Sequence, residues 1–367
     1  MKKVLSIVLA TVMAVGLVAC GSSSGGSGST TAAAAPAETK AAETKAEAAT
    51  EAAAPATSDE VFELKFAGSM PVDSPSSQGM ERIKAYCEEK SGGRLKITTY
   101  PANQLGDSTL VIEDIMNGNV DMGCFFNNTA YDKRIAINSL PYLVTSAEEA
   151  KKVYSPGSHY FETYAGIFDN LGVKILGIHG DGFVGMLFTK MPNGYNDVNA
   201  KKDLMTRMAS NDAYRIALET LQYPSVTIAF SDLYTSLQTG VCDGAIGLTP
   251  VSAEASFAEL IKYWVPMKIF IDPLDYMIST ATWEKLPQDL RDIIQEAVTT
   301  ETNRQFTDME KLDQEALDKL VAGGTEILPL TDEELQAYAD LCRDKAWAKM
   351  AELVGQDVID EIKKDLE

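Results

Sequence analysis

The stretch LYTSLQTGVCD, Leu233–Asp243, follows the same local pattern as an earlier stretch, VIEDIMNGNVD, Val111–Asp121. In each, apolar residues at helical spacing run up to a glycine, which favours a left-handed helix end. A short strand that opens with an apolar residue and Asp is predicted to follow. One such pair is a modest signal, but it indicates two similarly built halves. Each half would present strand and helix ends to a shared cleft, which is where ligands bind in α/β sheets.

The segments around these stretches predict alternating strands and helices. In chain order we expect a strand over 62–67, a helix over about 75–90, a strand over 95–100, a helix over about 108–117 and a buried strand over 120–126. This order predicts α/β layers. Further along, a helix is predicted from Gln288 to about Ala322. Thr331 with Glu334, and Ser146 with Glu149, have the spacing of capping boxes.

The amino terminus has the pattern of an export signal. Lys2 and Lys3 precede an apolar run, Val4–Val18, which has the length of a signal peptide and is short for a membrane span. The run ends at Ala19-Cys20 and resembles the bacterial lipobox, whose cysteine becomes the lipidated first residue. An ordinary secretory signal with a chance cysteine is the alternative. An uncleaved transmembrane anchor is disfavoured because no second apolar run follows.

Residues 20–59 predict a lipid-anchored, disordered tether. They are rich in Gly, Ser, Ala, Glu and Thr, and they contain almost no large apolar residue that could form a core. A flexible chain of this length reaches roughly 35 Å on average. The tether would therefore hold a folded body near a membrane.

The charge of the chain argues against two classes of function. Removing Lys2 and Lys3 lowers the basic count from 32 to 30 against 53 acids, so the mature chain carries about −23. Nucleic-acid binding needs a basic surface, and so does a polybasic membrane contact. No nucleic-acid partner is therefore expected, and membrane contact is expected through the lipid anchor alone.

The chain offers few residues for metal or redox chemistry. Cys87, Cys124, Cys242 and Cys342 match no CxxC spacing, and they are interpreted as buried free thiols, with two disulfides as the alternative. The only histidines, His159 and His179, are too few for a metal site or a catalytic triad. No metal, cofactor or catalytic residue is predicted.

One segment fits the GxGxxG pattern, but a nucleotide site is not expected there. The glycines of Gly180–Gly185 are followed by a strand pattern that ends at Pro192, whereas a dinucleotide site needs a helix to begin at that point. The glycines are interpreted as bends where strands cross between domains.

Arg207 is the charged residue that stands out. It lies in an apolar stretch, 203–209, that is predicted to be a strand. A guanidinium in such a setting needs an anionic partner, and it can hold a carboxylate through two parallel hydrogen bonds. The alternatives are an internal salt bridge and an exposed arginine on an edge strand.

Several blocks in order resemble the solute-binding proteins of TRAP transporters, the DctP family. The resemblance runs from about Leu64 to Thr300 and more loosely beyond. Its blocks are KSGGRL (90–95), YPANQLG (100–106), GNVDM (118–122), LPYL (140–143), LYTSLQTGVCDG (233–244) and WEKLP (283–287).

The resemblance implies a two-domain, periplasmic-binding-protein-like α/β clamshell with crossing hinge strands and a long bracing helix. Residues 60–181 with about 273–312 would form the N-terminal domain, and residues 182–272 with about 313–367 the C-terminal domain. Arg207 maps onto the family's carboxylate clamp. The other implied ligand-binding residues are Ser69, Phe126, Asn127, Phe183, Phe230 and Gly247.

Departures from the family pattern bear on the ligand. Val184 stands where many members have a second arginine, Gly247 replaces a ligand-contacting Asn, and Phe126 stands where sialate binders have an acid. A less polar pocket with one arginine favours a monocarboxylate over a dicarboxylate or sugar acid. We therefore expect a monomeric, extracytoplasmic binding protein that delivers a small organic acid to two integral membrane subunits. A protein that feeds a sensor kinase is the alternative, and a secreted lyase or hydrolase is disfavoured for want of a catalytic constellation.

Overall fold

The computed structural model describes residues 60–127 and 129–366, and their secondary structure is mixed α/β. The predicted signal peptide, Cys20 and the tether lie outside these residues. The strands are β1 Phe62–Gly68, β2 Leu95–Tyr100, β3 Met122–Phe125, β4 Val173–Phe183, β5 Gly185–Phe188, β6 Thr206–Met208, β7 Ser225–Thr227, β8 Gly244–Leu248, β9 Tyr263–Val265, β10 Ile271–Ser279 and β11 Glu326–Ile327. The helices are α1 Pro75–Lys90, α2 Ser108–Met116, α3 Ala147–Val153, α4 His159–Asp169, α5 Asp212–Thr220, α6 Phe230–Thr239, α7 Pro250–Phe257, α8 Thr280–Lys285, α9 Gln288–Ala322, α10 Asp332–Leu341, α11 Trp347–Val354 and α12 Gln356–Lys363. A 3-10 helix spans Lys133–Ser139 and a π-helical turn spans Cys342–Ala346.

Two sheets organise the molecule. The first has the order β2-β1-β3-β10-β4, in which β1 runs parallel to β2 and β3, and β10 runs antiparallel to β3 and β4. The second has the order β11-β9-β5-β8-β6-β7, with β6 parallel to β7 and β8. This is the predicted two-domain α/β fold, with one sheet in each lobe.

The chain crosses between the sheets at two adjacent places. Strand β4 of the first sheet leads through Val184 into β5 of the second, and β9 leads back into β10. Val184 joins the two crossings, since its N–H donates to the carbonyl of Phe270 at 2.8 Å and its carbonyl accepts from the N–H of Ile269 at 3.1 Å. The predicted crossing strands are therefore hydrogen-bonded to each other.

Gly182 lies in an irregularity of this crossing and not at the start of a helix. Ile271 pairs with Phe183 while Pro273 pairs with Gly180, so Asp181 and Gly182 together oppose Asp272. Gly182 has φ of 132°, and a Cβ there would lie 2.7 Å from Oδ1 of Asp313. Glycine is needed for this β-bulge, which confirms the interpretation of the GxGxxG segment as a bend.

The long helix α9 braces the first sheet and the crossing. Glu301 is buried and accepts two hydrogen bonds from Arg82 on α1, at 2.6 and 2.7 Å. Further along the helix, Gln305 donates to the carbonyl of Gly180 and Asp313 accepts from the N–H of Phe183, each at 3.0 Å. The 35-residue helix is therefore fastened to α1 and to β4.

The Asp residues of the two repeated stretches have structural roles. Each precedes its strand, and each accepts a hydrogen bond from the backbone of the neighbouring chain segment. Oδ2 of Asp121 accepts from the N–H of Lys65 at 2.8 Å, and Oδ2 of Asp243 accepts from the N–H of Met205 at 3.3 Å. The repeat thus reflects how the start of β3 and the start of β8 are each hydrogen-bonded to a neighbouring segment.

Most predicted elements are confirmed, with two local differences. The last predicted strand of the first half is shorter, Met122–Phe125, and the strand around Arg207 is only Thr206–Met208. Thr331 and Glu334 form a full capping box. Ser146 caps α3, but the side chain of Glu149 accepts from the N–H of Thr145, so that pair is not reciprocal. The four cysteines within the described range are buried free thiols, and none of the described helices is long and apolar enough to cross a membrane.

Candidate functional site

Arg207 is a buried cation on β6, next to the edge strand of the second sheet. Its strand, β6, pairs with β7 on one side and β8 on the other, and the residue is 2% exposed. Its Nε donates to the carbonyl of Ile228 at 2.8 Å, and its Nη1 reaches the carbonyl of Ile246 at 3.5 Å. Burial lowers the pKa of Arg207, and Tyr214 and Cys242 act in the opposite direction.

No carboxylate among residues 60–127 and 129–366 forms an ion pair with Arg207. The internal salt bridge considered from the sequence is therefore not found in the described part of the chain, and the exposed edge-strand alternative is wrong. A buried guanidinium that meets only carbonyl oxygens keeps donors available for an anion.

Gly247 lies beside Arg207 and makes room for Tyr214. It has φ of 92° in β8, and a Cβ at this position would lie 2.8 Å from Cε2 of Tyr214. Strand β8 pairs with β6 at Ala245 and Arg207, so Gly247 is two residues beyond the pair. The absent side chain at 247 lets the tyrosine ring approach the arginine.

Tyr214 contacts both lobes, and the sequence analysis did not single it out. It is 5% exposed and its ring stacks on Phe270, with centroids 4.8 Å apart. Burial raises its pKa and Asp272 raises it further, whereas Arg207 and a hydrogen bond with Ser139 lower it. Tyr214 thus lies within reach of Arg207, the hinge strand β10 and the 3-10 helix.

Asn127 belongs to a buried polar network in the first lobe. Its Nδ2 donates to Oδ2 of Asp275 at 2.5 Å, and the hydroxyl of Tyr164 donates to the same oxygen at 2.6 Å. The carbonyl of Asn127 accepts from Nδ2 of Asn138 at 2.9 Å, and Ser139 donates to Oδ1 of Asn138 at 3.0 Å. This network ends at the residue that touches Tyr214.

The other predicted residues lie in three places. Ser69 and Phe126 directly follow β1 and β3 in the first sheet, and Phe126 packs against the core formed with α1. Phe230 begins α6, is 53% exposed and packs edge-on against Phe257 at 5.6 Å. It lies two residues beyond Ile228, whose carbonyl binds Arg207.

Phe183 makes its contacts at the crossing between the two sheets. Its ring lies under the ammonium of Lys268, 5.3 Å from the centroid, and it lines a cavity of about 230 Å³ with Asp313 and Trp264. Arg207, Gly247 and Phe230 therefore come together in the second lobe, Ser69, Phe126 and Asn127 follow strands of the first, and Phe183 lies at the crossing.

Three acids in or beside the crossing have shifted pKa values. Burial raises the pKa of Asp272, Asp275 and Asp313 to about 7 in each case. Asp181 adds to the effect on Asp272 and Asp313 by repulsion. An acid within the apolar run of β10 was a sequence signal for Asp272 and Asp275 that could have been used. Within the described ranges, no three His, Cys, Asp or Glu residues are grouped so that they could hold a metal ion.

Comparison with known proteins identifies the family. A family model described as bacterial extracellular solute-binding protein, family 7 (DctP), matches residues 66–352. A monocarboxylate 2-oxoacid-binding periplasmic protein of Nostoc is 23% identical over 277 residues, covering 72% of this chain and 73% of its own.

Two solved structures share the fold. A TRAP periplasmic solute-binding protein of Ochrobactrum anthropi, with a C-terminus bound in its ligand-binding pocket, has a TM-score of 0.75 at 24% identity, covering 84% of this chain and 96% of its own. One from Desulfovibrio salexigens with bound orotic acid has a TM-score of 0.73 at 19% identity, covering 83% and 98%. With the family model matched over most of the folded body, the chain belongs to the DctP family of bacterial extracellular solute-binding proteins.

Proposed function

We propose that this protein captures a small organic acid, specifically a monocarboxylate, between its two lobes and delivers it to two integral membrane subunits of a TRAP transporter. The observation that carries the proposal is Arg207, a buried guanidinium without an acidic partner in the described residues. A carboxylate would supply the missing counter-charge through two parallel hydrogen bonds.

The surroundings of Arg207 support a ligand with one carboxylate. Arg207 is the cation at this site, and the position of the family's second arginine holds Val184, which is fully buried. Phe230 is half exposed next to the segment that binds Arg207, so its ring is available to cover an apolar or aromatic remainder. The Nostoc relative is named as a binder of monocarboxylate 2-oxoacids, which agrees with this class.

The proposal is tested by a thermal-shift screen of organic acids followed by calorimetry. A ligand that binds only the folded state raises the melting temperature. Arg207→Ala should weaken the best acid roughly a hundredfold or more, since charge-assisted bonds contribute about 1.5–3 kcal/mol each. Arg207→Lys should restore little, because an ammonium cannot form the bidentate pair. Binding of the Ala variant within about threefold of wild type, under about 1 kcal/mol, would contradict the clamp assignment.

We also propose a lipid anchor at Cys20, on the lipobox pattern alone. Cys20→Ala or globomycin should release the protein from membranes or leave it unprocessed. Unchanged mass and unchanged membrane association would contradict the anchor, with no consequence for the ligand site. Gel filtration with light scattering tests the expected monomer.

A further inference from the structure

The cavity beside Phe183 lies where three parts of the hinge meet. Its lining includes Phe183 from the first crossing (β4 to β5), Lys268 from the second crossing (β9 to β10) and Asp313 from α9, and its volume is about 230 Å³. Such a cavity has room for several waters, since one water needs about 10–15 Å³. A movement of either crossing relative to α9 has to change the shape of this space.

Asp313 fastens α9 to the first crossing through one oxygen of its carboxyl group. Oδ2 accepts from the N–H of Phe183 at 3.0 Å, whereas Oδ1 is buried and has no hydrogen-bond partner in the described part of the chain. Oδ1 lies against Gly182, where a Cβ would be only 2.7 Å away. A neutral carboxyl group suits this position, because a buried carboxylate with a single hydrogen bond is poorly stabilised.

Lys268 is an unpaired cation in the lining of the same cavity. Within residues 60–127 and 129–366 its ammonium forms no ion pair, and it lies 5.3 Å from the ring centroid of Phe183. Its φ of 49° is in the left-handed region, which a non-glycine residue adopts only where the surrounding structure holds it there. The second crossing therefore holds a cation at the cavity that Asp313 also lines.

Acidic groups of two elements repel a negative charge on Asp313. Burial has the largest effect and, with repulsion from Asp181 on β4 and Glu310 on α9, raises the pKa of Asp313 to about 7. The backbone hydrogen bond and Lys268 act in the opposite direction. Asp181 itself lies beside His179, with Nε2 of the imidazole 3.5 Å from Oδ1. Asp313 therefore loses its proton near neutral pH at a position that repels the charge it gains.

The cavity can hydrate an ionised carboxylate. Strand β9 and helix α7 contribute Trp264 and Pro250 to its lining, and neither side chain titrates. Nε1 of Trp264 is buried and, within the described ranges, has no hydrogen-bond partner, so it adds a donor to the ammonium of Lys268. A carboxylate that turned into this space would gain water and a cation, and it would release the N–H of Phe183.

We propose that Asp313 is a pH switch in the hinge: the neutral side chain holds the first crossing to α9 through the N–H of Phe183, and the ionised side chain turns into the cavity toward Lys268 and water. Deprotonation thus releases the crossing from the helix that braces it. Movement of the lobes about the crossing is then less restrained above neutral pH than below it. The switch does not depend on which ligand the cleft binds.

Two adjacent amides allow a test within one protein. The N–H of Phe183 donates to Asp313, and the N–H of Val184 donates to the carbonyl of Phe270 at 2.8 Å. Hydrogen exchange of both amides is measured by NMR on the full-length protein without ligand. Taking the ratio of the two rates removes the direct effect of pH on amide exchange, which both amides share.

The exchange rate of Phe183 relative to Val184 should rise with pH and then level off. Opening of the contact is linked to loss of a proton, whose pKa is about 7 in the folded protein and 3.8 in an exposed carboxyl group. The ratio should therefore rise about fiftyfold from pH 5 to pH 7 and change little above pH 8.

Three variants separate the switch from other effects of pH. Asp313→Asn keeps an acceptor for the N–H of Phe183 and cannot ionise, so the ratio should stay constant with pH. Glu310→Gln, the matched control at an exposed acid of the same cavity, should keep the rise. Lys268→Met keeps an unbranched side chain and removes the cation, so the ratio should level off at a higher pH.

A ratio that does not change with pH in the wild-type protein overturns the inference, and so does a rise that survives in Asp313→Asn. Levelling off at an unchanged or lower pH in Lys268→Met overturns it as well. Because none of these measurements includes a ligand, every outcome leaves the proposed function as it stands.

Discussion

Replacing Arg207 by methionine separates a structural role of this arginine from a ligand-binding role. A guanidinium that stabilises the fold should cost stability when it is removed. Removing a guanidinium that the protein keeps for a ligand anion should cost little stability, because burying that charge is itself unfavourable. Methionine is apolar and adaptable enough to fill the space.

The contacts of Arg207 set the expected magnitude. The bond to Ile228 at 2.8 Å is worth about 1–3 kcal/mol, and the 3.5 Å contact to Ile246 is at the limit of a hydrogen bond and contributes little. Replacing unpaired or paired buried charges by apolar residues is often neutral or stabilising by about 1–4 kcal/mol. Arg207→Met should therefore change the free energy of unfolding of the ligand-free protein by roughly −1 to +2 kcal/mol.

Lys202 is the matched control, a buried cation with more polar and aromatic contacts than Arg207, although burial lowers its pKa to about 8. It is 3% exposed, and its ammonium donates to the carbonyls of Asp197 and Ala200 at 2.6 and 2.8 Å. It also lies 5.6 Å from the ring centroids of Tyr223 and Tyr338. Lys202→Met should lose about 2 kcal/mol or more and still respond to ligand.

Urea denaturation of wild type and of each variant, with and without the best ligand of the screen, gives the six stabilities needed. At a hundredfold excess over Kd the ligand should stabilise wild type and Lys202→Met by about 2.7 kcal/mol, and Arg207→Met by nothing measurable. A ligand-free Arg207→Met that loses more than about 3 kcal/mol would refute the reasoning, because the guanidinium would then be compensated within the protein.

Three further outcomes follow from the hinge. Small-angle scattering should show a smaller radius of gyration at ligand saturation, as expected for closure of two lobes; an unchanged radius would count against closure. Gly182→Ala should destabilise the protein by about 2–4 kcal/mol in urea denaturation, because φ is 132° and the new Cβ would lie 2.7 Å from Asp313. The control Gly240→Ala, with φ of 75° and open space around it, should cost only about 1–2 kcal/mol. Equal losses of stability in the two variants would contradict the steric argument. The unfolded chain releases the Asp313 proton near pH 3.8 and the folded protein near 7, so this group's contribution to stability declines as the pH rises between these values. Asp313→Asn, which keeps an acceptor for the N–H of Phe183, should gain about 2–4 kcal/mol over wild type between pH 4 and pH 8, and a constant difference in urea denaturation would contradict this.

The elements that local sequence determines were predicted well. Helix α1 ends at the glycines after Ser91, and α6 ends at Gly240, which has φ of 75° as a left-handed cap requires. The bounds of α9 were predicted to the residue. Strand lengths were less accurate around Arg207, because a strand ends where its hydrogen-bonded neighbours end, and β7 has only three residues.

The site depends on contacts between distant residues, and sequence pattern could not supply them. Arg207 could be singled out from its apolar surroundings, but whether an acid lay beside it could be decided only in three dimensions. Tyr214 gave no signal because a tyrosine in the first turn of a helix is ordinary. Its role depends on Gly247, 33 positions later, and on Phe270, which directly precedes β10.

The difference between Arg207 and Lys202 also bears on how ligand binding and stability are coupled. Both cations are buried in the second lobe, but only Lys202 has its charge distributed over short hydrogen bonds and two rings. On the proposed function, the unfavourable burial of Arg207 is present in the ligand-free fold and is relieved when the carboxylate of the ligand binds. Part of the binding free energy is therefore stored in the protein before the ligand appears. A variant without Arg207 lacks both the unfavourable buried charge and the group that binds the carboxylate. We therefore expect such a variant to keep its free energy of unfolding and to lose its affinity for the ligand.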